Sequence, residues 1–301
     1  MNLTILGCHS ATPKATAFPT AQVLEMRGHV FLIDCGEGAQ MQLRRTKVKF
    51  ARIKHIFISH LHGDHFFGLI GLISTFRLLG REAEMHIYGP KGIQKIIQLQ
   101  LRLSASHINY PLYFHELESS EPQTLFEDEK VIVRSFPLSH RVYTNGFHFQ
   151  EKPGERKLNH PKAVQANIHH SLFSKLKQGF DVVNEDGLTI ANSTVTEDPE
   201  TPFSYAYCSD TEYYPEVVPH IKGSTALYHE ATFLDEHAGL AEKTKHSTAK
   251  EAAVIAKKAS VGTLILGHYS GRYRNLELFR EEAMEIFPNT KLAEDGKTFQ
   301  F

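Results

Sequence analysis

Cysteine is scarce in this chain. Its 301 residues include only Cys8, Cys35 and Cys208, and no C-x-x-C pair. So sparse and odd a set argues against a disulfide framework and fits a reducing compartment, with the three thiols read as buried structural groups. Long apolar runs are missing too: no stretch approaches the ~18 uninterrupted apolar residues of a membrane span. The opening MNLTILGCHS has no charged leader and too short an apolar run for a signal peptide. The expected location is therefore the cytoplasm. Neither sign of charge is in excess, with 33 Lys and Arg against 34 Asp and Glu. A polyanionic partner would have to meet local basic patches, not the whole surface. There is no low-complexity tract, and 41% of the residues are hydrophobic, enough for a large core.

What the chain does have is pattern. Apolar segments at 2–7, 21–26, 29–34, 55–59, 85–89, 131–136, 145–150, 203–210, 225–232 and 263–268 read as strands. Segments 68–80, 92–103, 247–259 and 275–287 carry apolar residues at helical spacing. Strands alternating with helices imply an α/β architecture. Residues 151–187 break the rhythm with KPGERKLNHPK and HHSLFSKLKQG, and read as an inserted arm. TVTEDPETP (194–202) reads as a loop.

Histidine is abundant, with 19 copies. The stretch IFISHLHGDHFFG places His60, His62, Asp64 and His65 within six positions, directly after an apolar strand. Four such donors cannot all serve one tetrahedral ion without strain, so the natural reading is two metals. Imidazole with carboxylate suits zinc, with manganese or iron as alternatives. His140, Asp210, His229 and His268 also fall at or just past strand ends, where sites are built in such folds. His140, Asp210 and His268 are the candidates to complete the site, and an aspartate is suited to bridge two cations.

HLHGDH and its flanks resemble the metallo-β-lactamase superfamily and, within it, the ribonuclease Z family of tRNA 3′-processing endonucleases, short form. The resemblance is carried by LIDCGEGAQMQLRR (32–45), IFISHLHGDHFFGLIGLISTF (56–76), PLSH (137–140), YCSDT (207–211), HEATF (229–233), KHSTAKEAA (245–253) and LILGHYSGRY (264–273). It implies a single domain over 1–301 with the αββα sandwich of that superfamily, two mixed sheets flanked by helices. It also implies a protruding tRNA-binding arm at about 151–187. His60, His62 and His140 would hold one zinc, Asp64, His65 and His268 the second, and Asp210 would bridge them. Asp34 would steady the histidine loop.

The chemistry so implied is removal of the 3′ trailer from precursor tRNA by a metal-activated hydroxide, leaving a 3′-hydroxyl on the tRNA and a 5′-phosphate on the trailer. Asp64 would orient the nucleophile or accept its proton. His246, oriented by Glu230, would protonate the leaving 3′-oxygen. RRTKVKFARIK (44–54) has six basic residues and no acid, and residues 150–180 carry an excess of positive charge. Lys152, Arg156, Lys157, Lys175 and Lys177 are the arm's candidate phosphate contacts, with Arg272 near the cleft. The aromatic residues Phe66, Phe67 and Tyr269 are expected to pack, not to stack on bases. The family forms homodimers in which one subunit's arm serves the other's site, so a homodimer is expected, with precursor tRNA as partner and no membrane.

This sequence departs from the family in two places. ANIHHSLFSKLKQG lacks the usual Gly-Pro-rich turn, and HSATPKATAFPTAQ (9–22) lacks the usual Arg-Asn ending. Both bear on substrate grip, not on metal chemistry. The competing readings are another hydrolase on the same fold (a cyclic-nucleotide phosphodiesterase, arylsulfatase-like enzyme or thioesterase), an inert metal- or RNA-binding relative, and a structural zinc protein. HEAT, His246 and the arm favour RNA over the first. The intact seven-residue donor set argues against the second and third.

Overall fold

A computed structural model describes residues 1–301. Strands β1 (Asn2–Gly7), β2 (Ala21–Met26), β3 (His29–Ile33), β4 (His55–Phe57), β5 (Met85–Pro90) and β6 (Leu112–Leu117) lie side by side in chain order. The last strand of the chain, β18 (Thr298–Gln300), adds to β1 at the edge. β1 to β3 run antiparallel, and β3 to β6 run parallel. The second sheet begins with β7 (Gln123–Glu127), β8 (Val131–Leu138) and β9 (Thr144–Glu151). Beyond β9 come β14 (Ser204–Cys208), β15 (Ala226–Glu230), β16 (Thr263–Gly267) and β17 (Thr290–Leu292), parallel to one another.

Both faces of the first sheet are buried, which is why its strands read as nearly continuous apolar runs. In β3, Phe31 and Ile33 join Phe147, Phe149, Tyr205 and Tyr207 of the second sheet in one core. Val30 and Leu32 turn the other way, to a core shared with Leu69, Leu72 and Ile73 of helix Leu69–Leu78 and Ile93 and Ile97 of helix Ile93–Leu103. The second sheet is covered on its outer side by helix Ala249–Ala259, whose alanines belong to the inter-sheet core cluster. The layers are therefore helix, sheet, sheet, helix. Thr248 caps that last helix: its hydroxyl accepts from Glu251 N at 3.2 Å, and Glu251 Oε2 accepts from Thr248 N at 2.9 Å.

The structure differs from the sequence reading at several boundaries. β4 stops at Phe57, because Ser59 N donates to Asp34 Oδ1 (2.7 Å) and leaves the ladder. The last helix covers only Glu277–Met284. β6, β7, β17 and β18 have no counterpart in the sequence reading, being short or edge strands with too many exposed positions to show a period.

The arm is a compact unit of its own over Glu151–Pro202, fifteen residues beyond the boundary expected at 187. The loop at 194–202 belongs to it, because β13 (Thr196–Glu197) pairs with β10 (Lys157–Leu158). β11 (Val182–Val183) and β12 (Thr189–Ile190) form a second ribbon. Ala163, Ile168, Leu176, Val182 and Val195 form its small core. This extension reverses its charge: residues 151–202 carry six Lys and Arg against eight Asp and Glu. Arg156 is paired with Asp198 and donates to Thr196 Oγ1 (2.7 Å), and Lys157 is 2.9 Å from Glu200. Lys175 and Lys177 are exposed.

Candidate active site

Asp34 stands immediately after β3 with φ +54, a left-handed conformation that an aspartate tolerates better than most residues. There its carboxylate accepts four hydrogen bonds. Oδ1 takes Ser59 N, and Oδ2 takes Ser59 Oγ (2.8 Å), His65 Nδ1 (2.8 Å) and Tyr207 OH (2.6 Å). The turn after it is stitched to the histidine loop: Cys35 N donates to His65 O (2.7 Å), and Gly68 N donates to Cys35 O (2.9 Å). A Cβ on Gly36 would lie 2.4 Å from Asp64 O, and one on Gly68 2.1 Å from Gly36 O, so only glycine permits this approach.

Four of the five histidines have their rear nitrogen held, which aims the other nitrogen inward. His60 Nδ1 is 3.1 Å from Ser59 Oγ, and His65 Nδ1 is on Asp34. His140 Nδ1 donates to Lys245 O (2.8 Å). His268 Nδ1 lies 2.8 Å from Thr232 Oγ1, which itself donates to Glu230 Oε2 (2.7 Å).

The inward atoms form two groups. In the first, His60 Nε2 is 3.0 Å and His140 Nε2 is 3.4 Å from His62 Nδ1, while Asp210 Oδ2 lies 3.6 Å from His60 and 3.8 Å from His140. In the second, His65 Nε2 and His268 Nε2 are each 3.3 Å from Asp210 Oδ1, and 3.5 and 3.3 Å from Asp64 Oδ2. Asp210 thus offers one oxygen to each group. Four donors about 2.0–2.1 Å from a tetrahedral ion stand about 3.3 Å apart, and both groups have that spacing. His65 Nε2 and Asp210 Oδ1 have no hydrogen-bond partner although both are buried. Such orphans are costly unless a cation takes their lone pairs. The seven residues could therefore hold two metal ions.

The electrostatics agree. Burial lowers the basicity of His60, His62 and His140, leaving their nitrogens as neutral donors. His65 is fully buried, which opposes a charge, but the carboxylates of Asp210, Asp64 and Asp34 outweigh this and push it well up. Asp64 and Asp210 stay well below the usual carboxylate range: burial opposes ionisation, and the histidines around them overcome it. The carboxylates thus call for positive charge between them.

Beside this cluster, His246 Nδ1 is 2.8 Å from Glu230 Oε1. Burial disfavours an imidazolium there, but the Glu230 carboxylate raises His246 to about 9. Glu230 also accepts Thr211 N (3.1 Å) and Thr232 N (2.9 Å), so its position is fixed. A cavity of about 400 Å³ opens over the group, lined by Asp64, Asp210, His246 and His268 together with Arg141 and Phe233.

His229, at a strand end in the sequence reading, is a β15 residue hydrogen-bonded to Glu230 O (2.7 Å) and takes no part in the cluster. Phe66 and Tyr269 pack in the interior, but Phe67 is 55% exposed, against the expectation of packing. Arg272 does not line the cavity; its guanidinium lies 5.4 Å from the ring centroid of Phe233, which does. Lys152, Arg156, Lys157, Lys175 and Lys177 all belong to the separate 151–202 unit. Sequence reasoning missed Ser59, Thr232 and Arg141. All three lie inside or beside quoted motifs, but hydroxyl and guanidinium groups carry no spacing signature of their own.

The family model described as anti-Pycsar protein Apyc1 matches residues 1–152. Ribonuclease Z of Bacteroides fragilis is 44% identical over 98% of this chain and 97% of its own. The crystal structure of human tRNase Z, short form, has a TM-score of 0.74 at 28% identity, covering 100% of this chain and 99% of that one. The metallo-β-lactamase fold protein YhfI from Bacillus subtilis has a TM-score of 0.70 at 17% identity, covering 99% of each chain, a likeness of fold alone. No helix is long and apolar enough to cross a membrane.

Proposed function

The chain belongs to the ribonuclease Z family, its first 152 residues also falling within the family described as anti-Pycsar protein Apyc1, and it has the metallo-β-lactamase fold; from that premise we propose that it is the endonuclease that removes the 3′ trailer of precursor tRNA. The products are a tRNA with a 3′-hydroxyl and a trailer with a 5′-phosphate. The observation that carries this reading is the Asp210 carboxylate, divided between two donor groups beside the His246–Glu230 pair.

His60, His62 and His140 would hold one ion, Asp64, His65 and His268 the other, and Asp210 both. Five imidazoles and two carboxylates suit zinc, with manganese the alternative. When bound, the ions supply positive charge against the phosphate and bring the pKa of water to about 7. Asp64 orients the attacking water and takes its proton. The P–O bond to the ribose 3′-oxygen breaks as the new P–O bond forms. His246, with Nδ1 held by Glu230, gives the proton at Nε2 to that departing oxygen. Thr232 keeps Glu230 and His268 in register from one hydroxyl.

The 151–202 unit is the tRNA-binding arm in this reading, with Lys175 and Lys177 its accessible cations. Arg156 and Lys157, already paired, are weaker contacts. A cytoplasmic homodimer, in which one subunit's arm serves the other's site, completes the proposal. The test is end-mapping. The protein is incubated with a precursor tRNA carrying a 3′ trailer, with and without chelator, and both product ends are sequenced. One chelator-sensitive cut at the end of the acceptor stem, leaving a 3′-hydroxyl, is the expected result. Hydrolysis of a small diester with no cut in the tRNA would favour the rival phosphodiesterase.

A further inference from the structure

Arg141 directly follows His140 and is exposed. It shares the cavity with Asp64, Asp210 and His246, and no other lysine or arginine lines that space. His62 of the first donor group and His268 of the second line the same cavity. Other cations near this one or inside the fold are already engaged. Lys245 is 2.7 Å from Glu212 and Lys250 is 2.9 Å from Asp235. The Arg81 guanidinium is used up on four main-chain carbonyls at 2.7–3.3 Å. Arg141 has no carboxylate partner, because the nearby acids are taken: Asp64 and Asp210 by histidines, Glu230 by His246 and Thr232, and Glu212 by Lys245 and Ser139.

An unpaired guanidinium beside a site built for a phosphodiester has one evident counterpart. We infer that Arg141 binds the non-bridging oxygens of the scissile phosphate, an assignment that rests on the endonuclease reading for the RNA around that phosphate. The planar fork of arginine matches two such oxygens at once. Negative charge on them grows as water adds, so the contact strengthens toward the transition state. With no internal ion pair to break, Arg141 is available to substrate from the outset.

Arg141→Ala and Arg141→Lys are compared with the wild type on two substrates, with zinc content measured for each protein. One substrate is precursor tRNA with a 3′ trailer; the other is bis(p-nitrophenyl) phosphate, which has a single phosphate. The expected result for Arg141→Ala is a loss of about 100-fold in kcat/KM on both substrates. Zinc content stays as in the wild type, and Arg141→Lys recovers part of the loss because charge remains without the fork. A loss confined to tRNA would move Arg141 to a neighbouring phosphate and overturn the assignment. So would a loss below threefold on both substrates, or a loss of zinc along with activity. A wild-type protein that cleaves the small diester but not the tRNA would defeat the endonuclease reading, while the small diester still tests Arg141.

Discussion

Replacing Glu230 by Gln separates the charge of His246 from its position. Burial opposes an imidazolium at that site, and the Glu230 carboxylate 2.8 Å from Nδ1, with a smaller contribution from Asp210, reverses the preference, from an ordinary value of 6.5 to about 9. That shift corresponds to roughly 3 kcal/mol in favour of the charged form. With a neutral amide the largest opposing charge is gone and only the more distant Asp210 still works against burial, so His246 falls back toward its ordinary value. His246 must carry the proton in order to donate it. At pH 8 about 90% of a group titrating near 9 is charged, against roughly 3% of one titrating near 6.5. Glu230→Gln should therefore lose about 30-fold more activity at pH 8 than at pH 5.5. The assay is single-turnover cleavage of precursor tRNA across the pH range, with metal content measured for each sample. A basic limb that stays near pH 9 in the variant, or an equal loss at every pH, would refute the reasoning. Stability follows the same linkage. The folded-state value is raised, so the His246 charge stabilises the fold fully below about 6.5, and this contribution fades as pH rises through about 9. The variant lacks that dependence. It also meets Thr211 N, Thr232 N and Thr232 Oγ1 with one accepting oxygen instead of two, at a cost of about 1–3 kcal/mol, read as a drop of a few degrees in Tm.

Two further outcomes are expected. Ser59→Ala removes the hydroxyl that touches Asp34, His60 and Ser209 at 2.8–3.1 Å, and should weaken zinc affinity 10- to 100-fold in a chelator competition; unchanged affinity would mean that Asp34 alone orients the ring nitrogens. Excising residues 151–202 and joining Gln150 to Phe203 by a few glycines should leave hydrolysis of a small diester within about twofold while cutting kcat/KM on precursor tRNA by 100-fold or more; equal losses on both substrates would show that the unit supports the fold.

The candidate metal site was legible where its donors are local and opaque where they are not. His60, His62, Asp64 and His65 declare themselves because four donors in six residues have no ordinary packing explanation. The sequence signals Asp210 only as an aspartate after a strand. That its two oxygens part between two donor groups depends on how the second sheet lies against the first, with Ser59 and Ser209 meeting at 2.9 Å. Arg141 and Thr232 stayed hidden for a different reason, since each acts through a neighbour fixed elsewhere in the chain. The arm's charge was misjudged because a window ending at 180 leaves out Asp198 and Glu200, which the β10–β13 pairing brings back onto Arg156 and Lys157. The buried strands were readable because apolar residues fill both faces, whereas β7 and β17 are short edge strands with exposed positions and give no such signal.

The donors come from both sheets, and this sets an order on the birth of the protein. During synthesis His60 to His140 leave the ribosome first, and they suffice for three imidazoles around one position. Asp210, the shared carboxylate, follows only after the entire 151–202 unit has been made. His268 emerges close to the C-terminus, after the strand β16 that carries it. Until then the second group lacks one of its four donors. A nascent chain therefore cannot assemble both donor groups until β16 and the His268 that follows it have emerged.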